Sequence, residues 1–214
     1  MAVAPVEKRA EYQTGVNVTV FVLLCVSSGV LVGLFGRWVI PGVDTAIVAL
    51  LVVLVFGVGL DLGVRGDALS RVRSLGIRAI VIPVISCVGS LTGVALVASA
   101  FWGHPLKDAF ALGSAFGWYS LSGPMLTHLG GPELGALGFL SDVLRELLAF
   151  VLIPVVAGRI GSAEAVALGG ATSMDTTLPL IARTTNGEAA PLAFAHGMVV
   201  GLIAPVLIPF WFRF

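Results

Sequence analysis

The sequence contains few charged residues and many apolar ones. Charged residues make up 11% of its 214 residues, less than half of the roughly 25% that is usual in a soluble domain. Hydrophobic residues make up 57%, and the mean hydropathy is +1.04. This composition predicts an integral membrane protein.

Other scarce features exclude further classes of protein. The 12 basic and 12 acidic residues give zero net charge, which predicts no nucleic-acid surface. The only two cysteines, Cys25 and Cys87, lie inside apolar runs and predict neither a disulfide framework nor a metal cluster. The three histidines are scattered, so we predict no metal site and no cofactor. The sequence contains no HExxH or serine–lysine arrangement, so it gives no indication of an intramembrane enzyme.

Apolar segments long enough to cross a bilayer recur along the chain. A hydrocarbon core of about 30 Å needs about 20 helical residues. The run at 16–35 is longer than a signal-peptide core and follows two acidic residues, so we predict a retained span. Two other apolar segments are interrupted by polar residues, at 108–123 and 163–183. The remaining predicted spans cover 44–62, 78–102, 133–157 and 189–212.

These segments predict an all-α integral membrane protein. It has about five full transmembrane helices and two broken or re-entrant segments in inverted orientation. A single transmembrane domain at 16–214 follows a cytoplasmic tail at 1–15. Lys and Arg near helix ends are retained on the cytoplasmic side. Their positions predict that the tail and the loop after the second span are cytoplasmic. Those residues are Lys8, Arg9, Arg65, Arg71, Arg73 and Arg78.

The two interrupted segments read SAFGWYSLSGP at 114–124 and GGATSMDTTLP at 169–179. Non-helical backbone at membrane depth survives only where it is buried in protein or lines a wet cavity. Paired interruptions of this kind point to the binding site of a secondary transporter. If each segment enters and returns to its own side, the two would meet tip to tip. Ordinary kinks are the alternative, because Gly and Pro are common in membrane helices.

Charged residues cluster at the predicted membrane depth. Asp142, Arg145 and Glu146 stand at i, i+3 and i+4 of one helix, and such residues usually mark transport pathways. Asp142 and Arg145 also fit a structural ion pair. With Asp175 and Arg183, the group holds three acids and two bases. The surplus negative charge favours a cationic substrate or a proton.

Four strings carry a resemblance to a known family: AFGWYSLSG, GPELGALGFLSDVLRELLAFVLIP, GGATSMDTTLP and PLAFAHG. Together they closely resemble the bacterial lysine exporter family, from about Val43 to the C-terminus. The resemblance implies export of L-lysine, and of analogues such as thialysine, across the inner membrane by exchange with protons. Longer members carry about three more N-terminal spans, so the chain resembles a short form. This favours a homodimer, or pairing with a second small membrane protein.

The predicted site combines acids with hydroxyl side chains. In the resemblance, the membrane-embedded acids correspond to Asp142, Glu146 and Asp175, and we predict that they bind substrate and couple protons together with Arg145. The predicted lining residues are Tyr119, Ser120, Ser122, Thr172, Ser173, Thr176 and His196. Two alternatives remain: a sodium-coupled transporter of a small organic anion, and a half-transporter subunit that needs a companion membrane protein.

Overall fold

The structure is a computed structural model. It describes residues 42–64 and 75–213 apart from 186 and 188, together with positions 24, 27–29, 31, 32 and 73. The predicted tail at 1–15 lies outside the described residues. Of the predicted first span at 16–35, only positions 24, 27–29, 31 and 32 are described, and they are helical. The chain divides into two compact units, Met1–Val43 and Asp44–Phe214. The second unit contains both interrupted segments.

The described part of the chain contains helices and no strands, which confirms the predicted all-α class. The helices are α1 (Val43–Val64), α2 (Arg78–Trp102), α3 (Leu106–Gly113), α4 (Tyr119–Gly130), α5 (Pro132–Arg159), α6 (Ser162–Gly169), α7 (Leu178–Thr184) and α8 (Ala190–Phe210). Short 3₁₀ helices follow α6 at Gly170–Met174 and α8 at Trp211–Arg213. The predicted spans at 44–62, 78–102, 133–157 and 189–212 correspond to α1, α2, α5 and α8.

Within the described residues, two helices are long and apolar enough to cross a membrane by length and composition. They are Arg78–Phe101, with a mean hydropathy of 2.3, and Ala190–Arg213, with a mean hydropathy of 2.0. Large apolar side chains such as Ile85 and Leu96 on α2, and Val206 on α8, are exposed. A lipid environment would cover these side chains. These helices fit a membrane-embedded helical protein.

The first interrupted segment breaks more narrowly than the sequence predicts. Helix α3 ends at Gly113 and α4 begins at Tyr119, so the break covers 114–118. Pro124, the predicted end of the break, lies inside α4. A proline removes one helical hydrogen bond, and membrane helices tolerate this loss where neighbouring groups satisfy the backbone. The chain turns at Phe116 and Gly117, which have φ angles of 52° and 89°.

Both ends of this segment lie beside the C-terminal end of α8. The Lys107 ammonium near the start of α3 lies 5.9 Å from the ring centroid of Phe212. At the end of α4, a Cβ added to Gly130 would lie 3.2 Å from that ring. The Trp211 indole donates a hydrogen bond of 2.9 Å to the Ser114 hydroxyl. The aromatic C-terminus therefore contacts the start, the break and the end of the segment.

The second interrupted segment follows the predicted pattern. Helix α6 ends at Gly169, the 3₁₀ helix occupies Gly170–Met174, and α7 begins at Leu178 with a proline in its first turn. Gly170 has a φ of 58°, a conformation that glycine adopts without steric cost. Because Pro179 has no backbone N–H, it suits the start of a helix better than its interior.

Helix α8 packs against both interrupted segments. One buried cluster joins α8 to the first segment and includes Phe116, Leu121, Leu126, Ala171, Val200 and Ile208. A second cluster joins α8 and α5 to α6 and α7, and includes Ile153, Val166, Ile181, Leu192 and Ala193. Gly197 allows close packing here, because an added Cβ would lie 2.7 Å from the Met174 Cβ. The cores thus hold the two breaks against one helix.

Candidate functional site at the junction of the two breaks

A backbone hydrogen bond joins the two interruptions. The Ala171 N–H donates to the Phe116 carbonyl over 2.9 Å. Both residues are buried, each with 2% of its surface exposed. The two breaks therefore lie in direct contact, as the sequence predicts.

Two charged side chains of α5 hold the first break. The Asp142 carboxylate accepts hydrogen bonds from the Gly117 N–H at 2.9 Å and from the Ser122 hydroxyl at 2.6 Å. The Arg145 guanidinium donates to the Phe116 carbonyl. The Phe116 carbonyl and the Gly117 N–H belong to the same peptide group. One peptide unit is thus bound at both of its polar ends.

The sequence also suggested a direct ion pair between Asp142 and Arg145. Among the described residues, no carboxylate oxygen of Asp142 lies within 4.0 Å of an Arg145 nitrogen as a salt bridge. The two charges still interact electrostatically. The geometry links them through the peptide of the first break, because each side chain takes one end of that peptide.

Glycine is required where the breaks approach Arg145. A Cβ added to Gly117 would lie 2.6 Å from an Arg145 nitrogen. A Cβ added to Gly170 would overlap both the Arg145 guanidinium and the Phe116 carbonyl. Both glycines also have positive φ angles. The close approach and the backbone conformation together explain these two glycines.

The second break is held by its own hydroxyl side chains and by α8. The Thr172 hydroxyl donates to the Gly169 carbonyl at 2.8 Å. The Ser173 hydroxyl lies 2.7 Å from the Gly170 carbonyl, 2.9 Å from the Ala193 carbonyl and 3.0 Å from His196 Nδ1. A hydroxyl has a single proton, and that of Ser173 is donated to the Gly170 and Ala193 carbonyls. The hydrogen bond with His196 therefore requires that Nδ1 of the imidazole donates to the Ser173 oxygen. Ser173 and His196 are fully buried.

A small cavity of about 90 Å³ opens between the two breaks. It is lined by Gly117, Trp118, Tyr119, Ser120, Ala171, Thr172, Met174, Asp175 and Thr176. Asp175 is exposed, and its Oδ1 accepts hydrogen bonds from the Thr176 N–H at 2.6 Å and the Thr176 hydroxyl at 3.2 Å. Its Oδ2 has no hydrogen-bond partner among the described residues. This oxygen is available to a proton or an ammonium group.

A second carboxylate lies near the same cavity. Tyr119 interacts electrostatically with both Glu146 and Asp175. Its ring packs edge-on against Phe139, with 5.9 Å between the ring centroids. Glu146 is partly buried and makes no hydrogen bond to another described residue. The cavity therefore has one acid in its wall and a second within electrostatic range of its tyrosine.

Comparison with known proteins assigns the family. A family model described as "Lysine exporter LysO" matches residues 23–212. The chain belongs to this lysine exporter family. It is 39% identical over 185 residues to "Lysine exporter LysO" of Escherichia coli strain K12, which covers 86% of the chain and 60% of that relative. It is 36% identical over 164 residues to "Putative lysine exporter" of Haemophilus influenzae, which covers 77% of the chain and 83% of that relative.

The family match spans both interrupted segments and the cavity. The chain spans about three fifths of the length of the Escherichia coli relative. No solved structure matches the chain. The arrangement around the cavity is therefore described from this chain, without a solved structure for comparison.

The structure separates the predicted site residues of this family member into three groups. Tyr119, Ser120, Thr172, Asp175 and Thr176 line the cavity, with Glu146 close to it. Asp142, Arg145 and Ser122 bind one another or the turn of the first break. Ser173 and His196 lie buried between the second break and α8. Within the described residues, no group of three His, Cys, Asp or Glu side chains could hold a metal ion.

Sequence reasoning missed two serines of α2. The Ser90 hydroxyl donates to the Gly113 carbonyl at 2.9 Å, at the end of α3. The Ser86 hydroxyl donates to the Ala167 carbonyl at 3.2 Å, near the end of α6. The last carbonyls of a helix lack intrahelical partners, and here a neighbouring helix supplies them. The i, i+4 spacing of the serines was the available signal, since it places both on one face.

Proposed function

We propose that this chain is a secondary transporter that exports L-lysine, and analogues such as thialysine, across the bacterial inner membrane in exchange for protons. The family assignment supports a lysine exporter. The single observation that carries the mechanism is that Asp175, which has one carboxylate oxygen without a hydrogen bond to a described residue, lines the cavity where the two breaks meet. The chain acts as a transporter and carries out no chemical reaction on its substrate.

Contacts at the ends of the interrupted segments support an inverted topology. The α3–α4 segment begins and ends beside Phe212, so it enters and returns on one side. Helix α5 starts from that side and is about 42 Å long at 1.5 Å per residue, so it ends on the other. The α6–α7 segment starts there and leads into α8, which runs back to Phe212. The two segments are re-entrant from opposite sides.

Basic residues support an orientation for this topology. Arg78, Arg159 and Arg183 lie at the start of α2 and the ends of α5 and α7, all on the side from which α6 enters. Positive residues concentrate on the cytoplasmic side of inner-membrane proteins. The second break therefore enters from the cytoplasm and the first from outside. Because the sequence predicts two spans before α2, we also propose a cytoplasmic N-terminus.

The cavity offers complementary groups for a basic amino acid. Tyr119 and Ser120 line it in the first turn of α4, where backbone N–H groups without intrahelical partners and the helix dipole favour a carboxylate. Asp175 binds an ammonium group on the opposite wall. Glu146 lies near Tyr119 and serves the second ammonium group of lysine.

Proton exchange supplies the free energy of export. Moving one positive charge outward against an inside-negative potential costs about 2.3 kcal/mol per 100 mV. A carboxylate that binds either an ammonium group or a proton makes the two ligands compete for one site. Asp175 is that carboxylate, because it lines the cavity and its Oδ2 accepts no hydrogen bond from a described residue. Lysine leaves as one or more protons enter.

Two alternative functions have different structural requirements. A sodium-coupled anion transporter would bind its substrate at Arg145 or Arg183, but Arg145 is bound to the Phe116 carbonyl and Arg183 does not line the cavity. A half-transporter would need a companion membrane protein for activity. We favour a homodimer of this chain, which needs no second membrane protein.

The test is counterflow of labelled lysine in liposomes that contain only this chain. We expect uptake of labelled lysine into lysine-loaded liposomes, inward proton movement when lysine leaves, and no change when choline replaces sodium. Liposomes loaded with glutamate serve as the matched control. Sodium-dependent glutamate uptake would support the anion transporter, and lysine transport only after a companion is added would support the half-transporter.

A further inference from the structure

We propose that Asp142 and Arg145 are positioning residues, which fix the peptide between Phe116 and Gly117 and so set the spacing of the two cavity walls. This inference rests on the proposed function, because it concerns the same cavity. It assigns the substrate and proton roles to other acids.

The contacts of Asp142 are already satisfied by the protein. One carboxylate oxygen accepts the Gly117 N–H and the other accepts the Ser122 hydroxyl. Only 4% of the residue surface is exposed, and Asp142 does not line the cavity. A substrate ammonium group in the cavity would therefore not reach this carboxylate. Asp175, by contrast, is exposed and lines the cavity.

Arg145 complements Asp142 at the opposite end of the same peptide. A peptide group has a positive N–H end and a negative carbonyl end, and each charge faces the end of opposite sign. Hydrogen bonds to charged groups are stronger than neutral ones. They hold Phe116 at a φ of 52°, which is unfavourable for a residue with a Cβ.

The same carbonyl also holds the second break. It accepts the Ala171 N–H next to Arg145. Gly117 and Ala171 both line the cavity, on its two walls. Movement of this peptide would therefore shift both walls, and the two charges of α5 restrict that movement.

A matched pair of variants separates positioning from a charge-dependent role. Asp142→Asn and Asp142→Leu both remove the carboxylate and leave the Arg145 charge unchanged. Only asparagine keeps an oxygen that can accept the Gly117 N–H. The readouts are hydrogen exchange of the Gly117 amide in nanodiscs, and the KM for lysine and the pH dependence of its transport in liposomes.

We expect Asp142→Asn to keep the wild-type pH dependence and slow amide exchange. Asp142→Leu loses a hydrogen bond to a charged group, so we expect exchange at least about tenfold faster and a higher KM for lysine. Equally fast exchange in both variants, or wild-type exchange in Asp142→Leu, would overturn the inference. So would a folded Asp142→Asn variant whose transport loses its pH dependence. If Asp142→Leu does not insert, the Asp142→Asn pH profile decides alone.

Arg145 is tested in the same way through the Ala171 amide. Arg145→Lys keeps a cationic donor, and Arg145→Met keeps chain length without one. We expect faster Ala171 exchange in the methionine variant only. Exchange does not require lysine transport, so a wild-type protein that fails to transport lysine would refute the proposed function and still test the positioning role.

Discussion

The two breaks in this molecule are built differently. In the first, Phe116 and Gly117 are buried and held by charged side chains of another helix. In the second, hydroxyl groups of the break bond to its own backbone and to α8. The first break presents no acid to the cavity, whereas the second presents Asp175.

This difference suggests a division of roles between the breaks. Charge-assisted bonds to one peptide give the first break a fixed position. The second break is satisfied locally, which leaves its carboxylate open to a ligand. Membrane-embedded charges can therefore serve structure as well as transport, and their hydrogen-bond partners distinguish the two uses.

The contact between the breaks gives the largest predicted effect. We expect Gly170→Ala to destabilise the fold by about 2–5 kcal/mol, from a positive φ and a forced overlap with Phe116 and Arg145. Thermal unfolding in detergent measures the loss. Gly103→Ala is the matched control, because Gly103 has a φ of 67° and nothing within 4 Å of an added Cβ. An equal loss in both variants would mean that the breaks do not constrain each other.

The open acid of the second break gives the next effect. A hydrogen bond to a charged group contributes about 1.5–3 kcal/mol, so Asp175→Asn should lower lysine transport about 10- to 150-fold. It should also abolish lysine-driven proton movement while inserting normally. Glu164→Gln removes the same charge from an exposed position at the start of α6 and should transport normally. Proton exchange that survives in Asp175→Asn would move the coupling role to Glu146.

The local bonds of the second break give the smallest effect. Ser173→Ala leaves the Ala193 carbonyl and His196 without their hydroxyl partner, and we expect a loss of about 1–3 kcal/mol in unfolding free energy. The KM for lysine should not change, because Ser173 does not line the cavity. Ser141→Ala, which removes an exposed hydroxyl bonded within α5, should cost less than about 0.5 kcal/mol. A raised KM in Ser173→Ala would indicate substrate contact instead.

Much of the fold could be predicted from the sequence, because the length of an apolar segment can be measured without knowing the tertiary structure. The predicted spans at 78–102 and 189–212 correspond closely to α2 and α8. The glycines and the proline of GGATSMDTTLP marked the second break, since each acts on its own backbone. Pro124 was a misleading signal, because membrane helices tolerate a proline whose lost hydrogen bond is compensated nearby.

The candidate site was only partly predictable. The strings around Tyr119 and Asp175 identified residues that line one cavity. The sequence did not separate Asp142 from Asp175, because both are acids at membrane depth. Their difference depends on which donors surround each carboxylate, and those donors come from distant parts of the chain.

The sequence by itself determined the membrane environment of this protein, its helical class, its family and the approximate positions where helices break. Each of these follows from composition or from short strings. The tertiary structure alone decided that the breaks share the Phe116 carbonyl, that Asp142 and Arg145 hold one peptide, and that Asp175 keeps an open oxygen. Hydrogen-bond partners far apart in sequence are fixed only when the helices pack, because packing determines which polar groups meet.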